Sequence, residues 1–221
     1  MPAKRRPRAR APFARSVFVN CPFDPAYKPI LDALLFTIHD CGFIARIALE
    51  DAGTRETRLH KIARLLAASR WSIHDLSRSK LTPNSPTVRF NMPFELGLAF
   101  GGLLLSPTSR TRGRDLFYLY GEPFESQRIL SDLGGQDGGS HGNDPVRAIE
   151  AVRKFLRAKA ARAGFTHAVR GAREIANRLA AFNAVLPAMA KQRGISESEI
   201  ASFDYLPDWL GFVTEWQRGK V

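Results

Sequence analysis

Cysteine is almost absent: Cys21 and Cys41 are the only two among 221 residues. Two thiols cannot build a disulfide framework, so the expected compartment is the reducing cytoplasm. A metal site made from Cys21, His39 and Cys41 would match no standard ligand spacing, and no metal is expected. No stretch reaches the roughly 18 consecutive apolar residues that a membrane helix needs. The basic start is not followed by the apolar h-region of a secretory signal. Phosphate-binding signatures are missing, since neither GxxxxGK nor GxGxxG occurs in place. No helix-turn-helix, zinc-finger or stacking-platform motif is recognised, and no internal repeat is visible.

Negative charge is scarce, with 21 acidic against 33 basic residues and a net charge of +12. That excess has the look of a nucleic-acid signal, but its distribution weakens it. Six of the basic residues (Lys4, Arg5, Arg6, Arg8, Arg10 and Arg15) fall within the first fifteen positions, beside Pro2, Pro7 and Pro12. Residues 1–15 therefore read as a disordered basic arm, more often a solvated tail than a binding element. Non-specific contact with nucleic-acid phosphates is the most such an arm would contribute.

What is present reads as an ordinary globular chain, 44% hydrophobic and 24% charged. Ser16 to Phe23 is a β-rich run stopped by Pro22, and a helix with Ile30, Leu31, Leu34, Leu35 and Ile38 at helical spacing follows Asp24-Pro25. Phe43 to Leu49 is a second strand containing Arg46. Thr54 to Arg70 is a helix, apolar on one face and basic on the other, and Trp71 to Leu76 is a third strand. A central helix runs from Asn91 to Leu105, and Asp115 to Tyr120 is a fourth strand. This alternation predicts a parallel sheet with helices on both faces and ligands at the carboxyl ends of the strands.

Polar residues do gather after the strands: Asn20 and Asp24, then Glu50 and Asp51, then Asp75, Ser77 and Arg78. The central helix adds Asn91 as the expected N-cap, Pro93 in the first turn, and Glu95 facing the positive end of the helix dipole. Five carboxylates (Asp24, Glu50, Asp51, Asp75 and Glu95) are expected on one rim. Glu95 lies among Phe90, Met92, Phe94, Leu96 and Leu98, and an acid so placed is either paired or working. Residues 122–144, dense in glycine and including Asp132, read as a lid or site wall whose acids suit ribose hydroxyls. Helices are expected over Pro145 to Ala163 and Arg173 to Lys191. A capping start at Ser196 precedes an aromatic segment from Tyr205 to Trp216, where Trp209, Phe212 and Trp216 form a packing stripe.

Three motifs then fall in order on the right elements. Asn20-Cys21-Pro22-Phe23-Asp24 resembles the first-strand turn of nucleoside 2-deoxyribosyltransferases. Asp75 is similarly placed to their substrate-contacting Asp, and Phe94-Glu95-Leu96-Gly97-Leu98-Ala99 resembles the helix carrying their catalytic Glu. TIR and TIR-like domains that cleave NAD share that core and that Glu. The likeness covers roughly residues 16–145, and Asn20 and Arg89-Phe90-Asn91-Met92-Pro93 depart from the transferase pattern.

The resemblance implies a flavodoxin-like (TIR-like) doubly wound parallel sheet over 16–163, with 164–221 as a small C-terminal helical module. It implies an N-glycoside hydrolase or transferase, catalytic through Glu95 and Asp75, that takes NAD as substrate and needs no cofactor. Asn20, Phe23, Asp24, Arg46, Glu50, Arg78, Arg89, Asn91 and Asp132 are the expected substrate contacts, with arginines such as Arg46, Arg78 and Arg89 on the pyrophosphate. A nucleoside deoxyribosyltransferase-like enzyme and a non-catalytic nucleotide-sensing module are the alternatives. The implied role is a bacterial antiviral-defence effector; the helical tail itself reads as a module docked on the sheet or joining copies or a partner protein.

Overall fold

The computed structural model describes residues 13–50, 56–79, 90–105, 113–122, 138–165 and 168–219. Five strands, all parallel, form one sheet in the order β2-β1-β3-β4-β5. They are β1 (Ser16–Asn20), β2 (Ile44–Ile47), β3 (Trp71–Asp75), β4 (Asp115–Tyr120) and β5 (Gly138–Ser140). The described helices of four residues or more are α1 (Lys28–Asp40), α2 (Arg58–Ala68), α3 (Asn91–Leu104), α4 (Pro145–Ala160), α5 (Ala172–Gln192), α6 (Glu197–Ile200) and α7 (Leu206–Gln217). This is the flavodoxin-like doubly wound order, with the C-terminal helices as an added module.

The strands alternate their side chains between two apolar layers. Val17, Val19, Ile73, Phe117 and Leu119 pack with α1 and α4, whereas Phe18, Leu116 and Tyr118 pack with α2 and α3. The chain thus leaves β1 toward one face and β3 toward the other. β1 and β3 are neighbours, so the crevice between their carboxyl ends is the topological switch point where open α/β sheets bind ligands.

α1 is apolar nearly all round, with Leu34, Leu35, Phe36 and Ile38 completely buried, because a third layer covers its outer side. Phe182 of α5 packs on Phe36, Trp209 and Trp216 at ring distances of 5.8, 5.6 and 5.8 Å. Asp40 sits at the carboxyl end of α1, where the helix dipole disfavours an acid. Arg178 Nε donates to its Oδ1 at 2.8 Å, and Arg170 Nη1 lies 3.5 Å from Oδ2. The segment from 164 on therefore shares the core of the sheet domain, and the Trp209–Phe212 stripe is buried packing.

Several boundaries differ from the sequence expectation: α2 begins only at Arg58, after its Thr57 cap, and β2 is confined to Ile44–Ile47. Residues 13–15, assigned to the arm, form a docked turn: Phe13 O accepts from Arg70 N at 3.1 Å and Ala14 O from Trp71 Nε1 at 2.9 Å. Residues 1–12 lie outside the described residues. Part of the expected glycine loop is β5, and its glycines are sterically required. A Cβ on Gly138 would lie 2.4 Å from the Tyr118 ring, which covers it in the β4–β5 register. α3 starts one residue earlier than expected: Phe90 is the N-cap with no side-chain hydrogen bond, and Asn91 is the first helical residue. Phe90 adopts helical φ and ψ, so its carbonyl already accepts from Phe94 N at 3.0 Å. Among the described residues, no helix is long and apolar enough to cross a membrane.

Candidate functional site

Of the sequence-named residues, those on and after β1, β3 and α3 meet at the switch point, but they do not form one open acidic rim. Asp75, at the end of β3, is completely buried. Tyr27 OH donates to its Oδ2 at 2.6 Å, Ser77 N donates to its Oδ1 at 2.8 Å, and His141 Nε2 lies 3.0 Å from Oδ2. His141 Nδ1 accepts from Asn143 N at 3.0 Å, which turns Nε2 toward the carboxylate. Burial pushes the Asp75 carboxyl upward. Contact with His141, then the bonds from Ser77 and Tyr27, outweigh that push and hold it below the ordinary aspartate range. Both oxygens are committed, so Asp75 anchors the end of β3 to α1 and to the turn before α4. In this arrangement Asp75 is held as an anchor rather than presented on an open rim.

Asn20 is likewise an internal clamp. Its Nδ2 donates to Met92 O at 3.2 Å and lies 3.3 Å from His74 Nδ1, joining β1, β3 and the start of α3. His74 is completely buried, and burial lowers its pKa to about 3, so it is a neutral ring. Asp24 caps the turn before α1, with Oδ1 accepting from Tyr27 N at 3.1 Å, and its Oδ2 lies 3.5 Å from Arg78 Nε. Arg46 Nε donates to both Glu50 oxygens at 2.8 and 3.0 Å, so this pair at the β2 edge is satisfied internally. Arg89, Asp51 and Asp132 lie outside the described residues.

Glu95 is different. It is the fifth residue of α3 rather than part of the first turn, so the helix dipole gives it little. Its side chain is 5% exposed, and the described ion pair it makes is with Arg58 Nη2 at 3.2 Å, from an arginine side chain 49% exposed. Burial lifts the Glu95 carboxyl above the ordinary glutamate range, and Arg58 pulls it part of the way back. The pair lines a cleft of about 440 Å³ walled by Leu59, Ile62, Phe90, Asn91 and Phe94. Phe90 and Phe94 are 71% and 60% exposed, which leaves two aromatic rings open beside a buried acid. Phe23 sits close by, with the Arg58 guanidinium 6.0 Å from its ring and Phe203 packed edge-on at 5.8 Å. Beneath them, burial and the negative fields of Asp75 and Glu95 push the Cys21 thiol far up, so it stays protonated and unreactive.

Three participants carry no sequence signal, among them Tyr27, whose hydroxyl reaches Asp75 from the turn before α1. Arg58 was visible only as one of the basic residues on the 54–70 helix, with nothing local to mark its reach to α3. His141 lay in a glycine-dense run, where a lone histidine has no signature. Among the described residues, no group of three or more His, Cys, Asp or Glu could hold a metal ion. Comparison with family models, curated proteins and solved structures finds no match for the chain.

Proposed function

We propose that the protein cleaves or transfers an N-glycosidic bond of a nucleotide, with Glu95 as the carboxylate facing the sugar. The carrying observation is a buried acid at the switch point, on the wall of a cleft with two open phenylalanine rings. Breaking an N-glycosidic bond builds positive charge on the sugar, which a fixed carboxylate stabilises or traps covalently. Arg58 favours the ionised form of Glu95 against the effect of burial. The rings of Phe90 and Phe94 suit the flat face of a heteroaromatic base. The sequence resemblance makes NAD the favoured substrate and nicotinamide the leaving base, with depletion of NAD in antiviral defence as the biological role. Deoxyribosyl transfer on the same carboxylate is the neighbouring chemistry.

One observation favours a second reading. The Arg58–Glu95 pair covers the carboxylate in the resting state, as suits a module that senses a nucleotide without cleaving it. Incubating concentrated protein with NAD and following nicotinamide by chromatography separates the two. Cleavage is expected, and Glu95→Gln should lower its rate at least about 10²-fold, the usual loss for one electrostatic stabiliser. The melting temperature should stay unchanged or rise slightly. Tight nucleotide binding with no Glu95-dependent release would establish the sensing reading, and neither binding nor release would refute both.

A further inference from the structure

Arg58 has two features that a purely structural counter-ion does not need. It is half-exposed while its carboxylate is buried, and it reaches Glu95 from a different helix, across the mouth of the cleft. The guanidinium also lies against the edge of the site at Phe23 rather than in the core. An arginine held by one carboxylate oxygen at 3.2 Å retains further N–H donors for a second partner. It projects from the first turn of α2, where the helix dipole adds positive potential. Phosphate is the ligand group that matches this set, because it accepts two parallel N–H bonds from a guanidinium and carries the charge to replace the carboxylate.

We infer that Arg58 is a phosphate-reading latch: the phosphate of an incoming nucleotide draws the guanidinium off Glu95 and uncovers the carboxylate for the sugar. This rests on the cleft being a nucleotide site, and it names the substrate class within that reading. Phosphorylated nucleotides are accepted, and free nucleosides are rejected. The selectivity follows from pairing. A nucleoside that displaced Arg58 would leave a buried carboxylate and a guanidinium both unpaired, whereas a nucleotide re-pairs the arginine as the sugar arrives. The latch also explains why the arginine is on a solvent-facing tether: it has to move without disturbing the core. Among the described residues, the two arginines expected at the pyrophosphate pair elsewhere, Arg46 with Glu50 and Arg78 with Asp24.

The test uses the full chain with nicotinamide mononucleotide and nicotinamide riboside, which differ only by the 5′-phosphate. Calorimetric titration should give the mononucleotide an affinity at least about tenfold higher, the scale of one charge-assisted contact. Arg58→Ala should erase that ratio, and Arg58→Lys should restore part of it. Glu95→Gln should tighten the mononucleotide, because no ion pair has to be broken. That gain should disappear in Arg58→Ala/Glu95→Gln. If the gain persists in the double variant, Glu95 merely repels phosphate and the latch is refuted. Equal affinity for both probes in the wild type would refute it too, while Glu95-dependent cleavage would still uphold the glycosidase reading. Binding of neither probe overturns the latch, while NAD turnover decides the glycosidase reading separately. Arg58 is partly solvated, and circular dichroism of each variant confirms that a lost preference is not a lost fold.

Discussion

Removing one oxygen atom from Tyr27 tests the reading of Asp75 as an anchor. In Tyr27→Phe the buried ring stays in place, so no cavity opens, and the change is the loss of a 2.6 Å hydrogen bond to an ionised carboxylate. Buried bonds to charged groups contribute about 1.5–3 kcal/mol. At about 2–4 °C per kcal/mol for a chain of this size, a loss near 2 kcal/mol lowers the melting temperature by about 4–8 °C. The pH dependence gives a second, independent readout. The folded Asp75 carboxyl lies below its ordinary range, so its stabilisation is present at neutral pH and is lost as pH falls through that depressed value. Tyr27→Phe takes away part of the depression, so the gap between variant and wild type should narrow in acid. Differential scanning calorimetry at pH 7 and stepwise below about pH 4, where an aspartate of ordinary pKa begins to protonate, measures both. A shift under 1 °C at pH 7, or a gap that widens in acid, would refute the network as described. A variant with normal stability and lost nucleotide cleavage would restore Asp75 to the chemistry.

Other consequences are equally direct. His74 is buried and His39 half-buried, and desolvation lowers their pKa values to about 3 and about 4. The unfolded chain therefore takes up protons that the fold refuses between about pH 6.5 and those values, and melting temperature should drop steadily across that window; a flat profile would contradict neutral buried rings. Gly138→Ala forces a methyl group into the Tyr118 ring, and urea titration should show a loss of about 1–3 kcal/mol. Phe182→Ala empties the junction between α1, α5 and α7 and should cost about 3–5 kcal/mol. The calorimetric transition should remain single, because the C-terminal helices share the sheet's core; two separate transitions would mean an independent module.

Much of this architecture is legible in the sequence, because periodicity reports which face is buried. Val17 to Val19, Trp71 to Ile73 and Leu116 to Leu119 read as strands, and Ile30 to Ile38 as a helix. β5 is illegible because Gly-Gly-Ser has no strand propensity; its place is decided by the Tyr118 ring above it. The start of α3 follows Phe90, against the preference for Asn91 as a cap, and Asn20 Nδ2 holds the Met92 carbonyl in its first turn. Glu95 stands out locally, as a lone acid in an apolar helix. The fate of Asp75 and the partner of Glu95 depend on Tyr27, His141 and Arg58, which are distant in the chain. Sequence position announces a carboxylate at a strand end, but only tertiary pairing separates an anchor from a reactive group.

The third helical layer also limits how this molecule can meet others. In a two-layered sheet sandwich, the outer sides of α1 and α4 would be open to neighbours, but here α5 and α7 lie against α1, and α5 against α4. Among the described residues, the surfaces left for an assembly include the solvent sides of α5 to α7 and the α2–α3 side. The α2–α3 side is also the one that bears Arg58, Phe90 and Phe94. A neighbouring subunit that packed there would close over the cleft, so self-association on that side and access to Glu95 would be competing events.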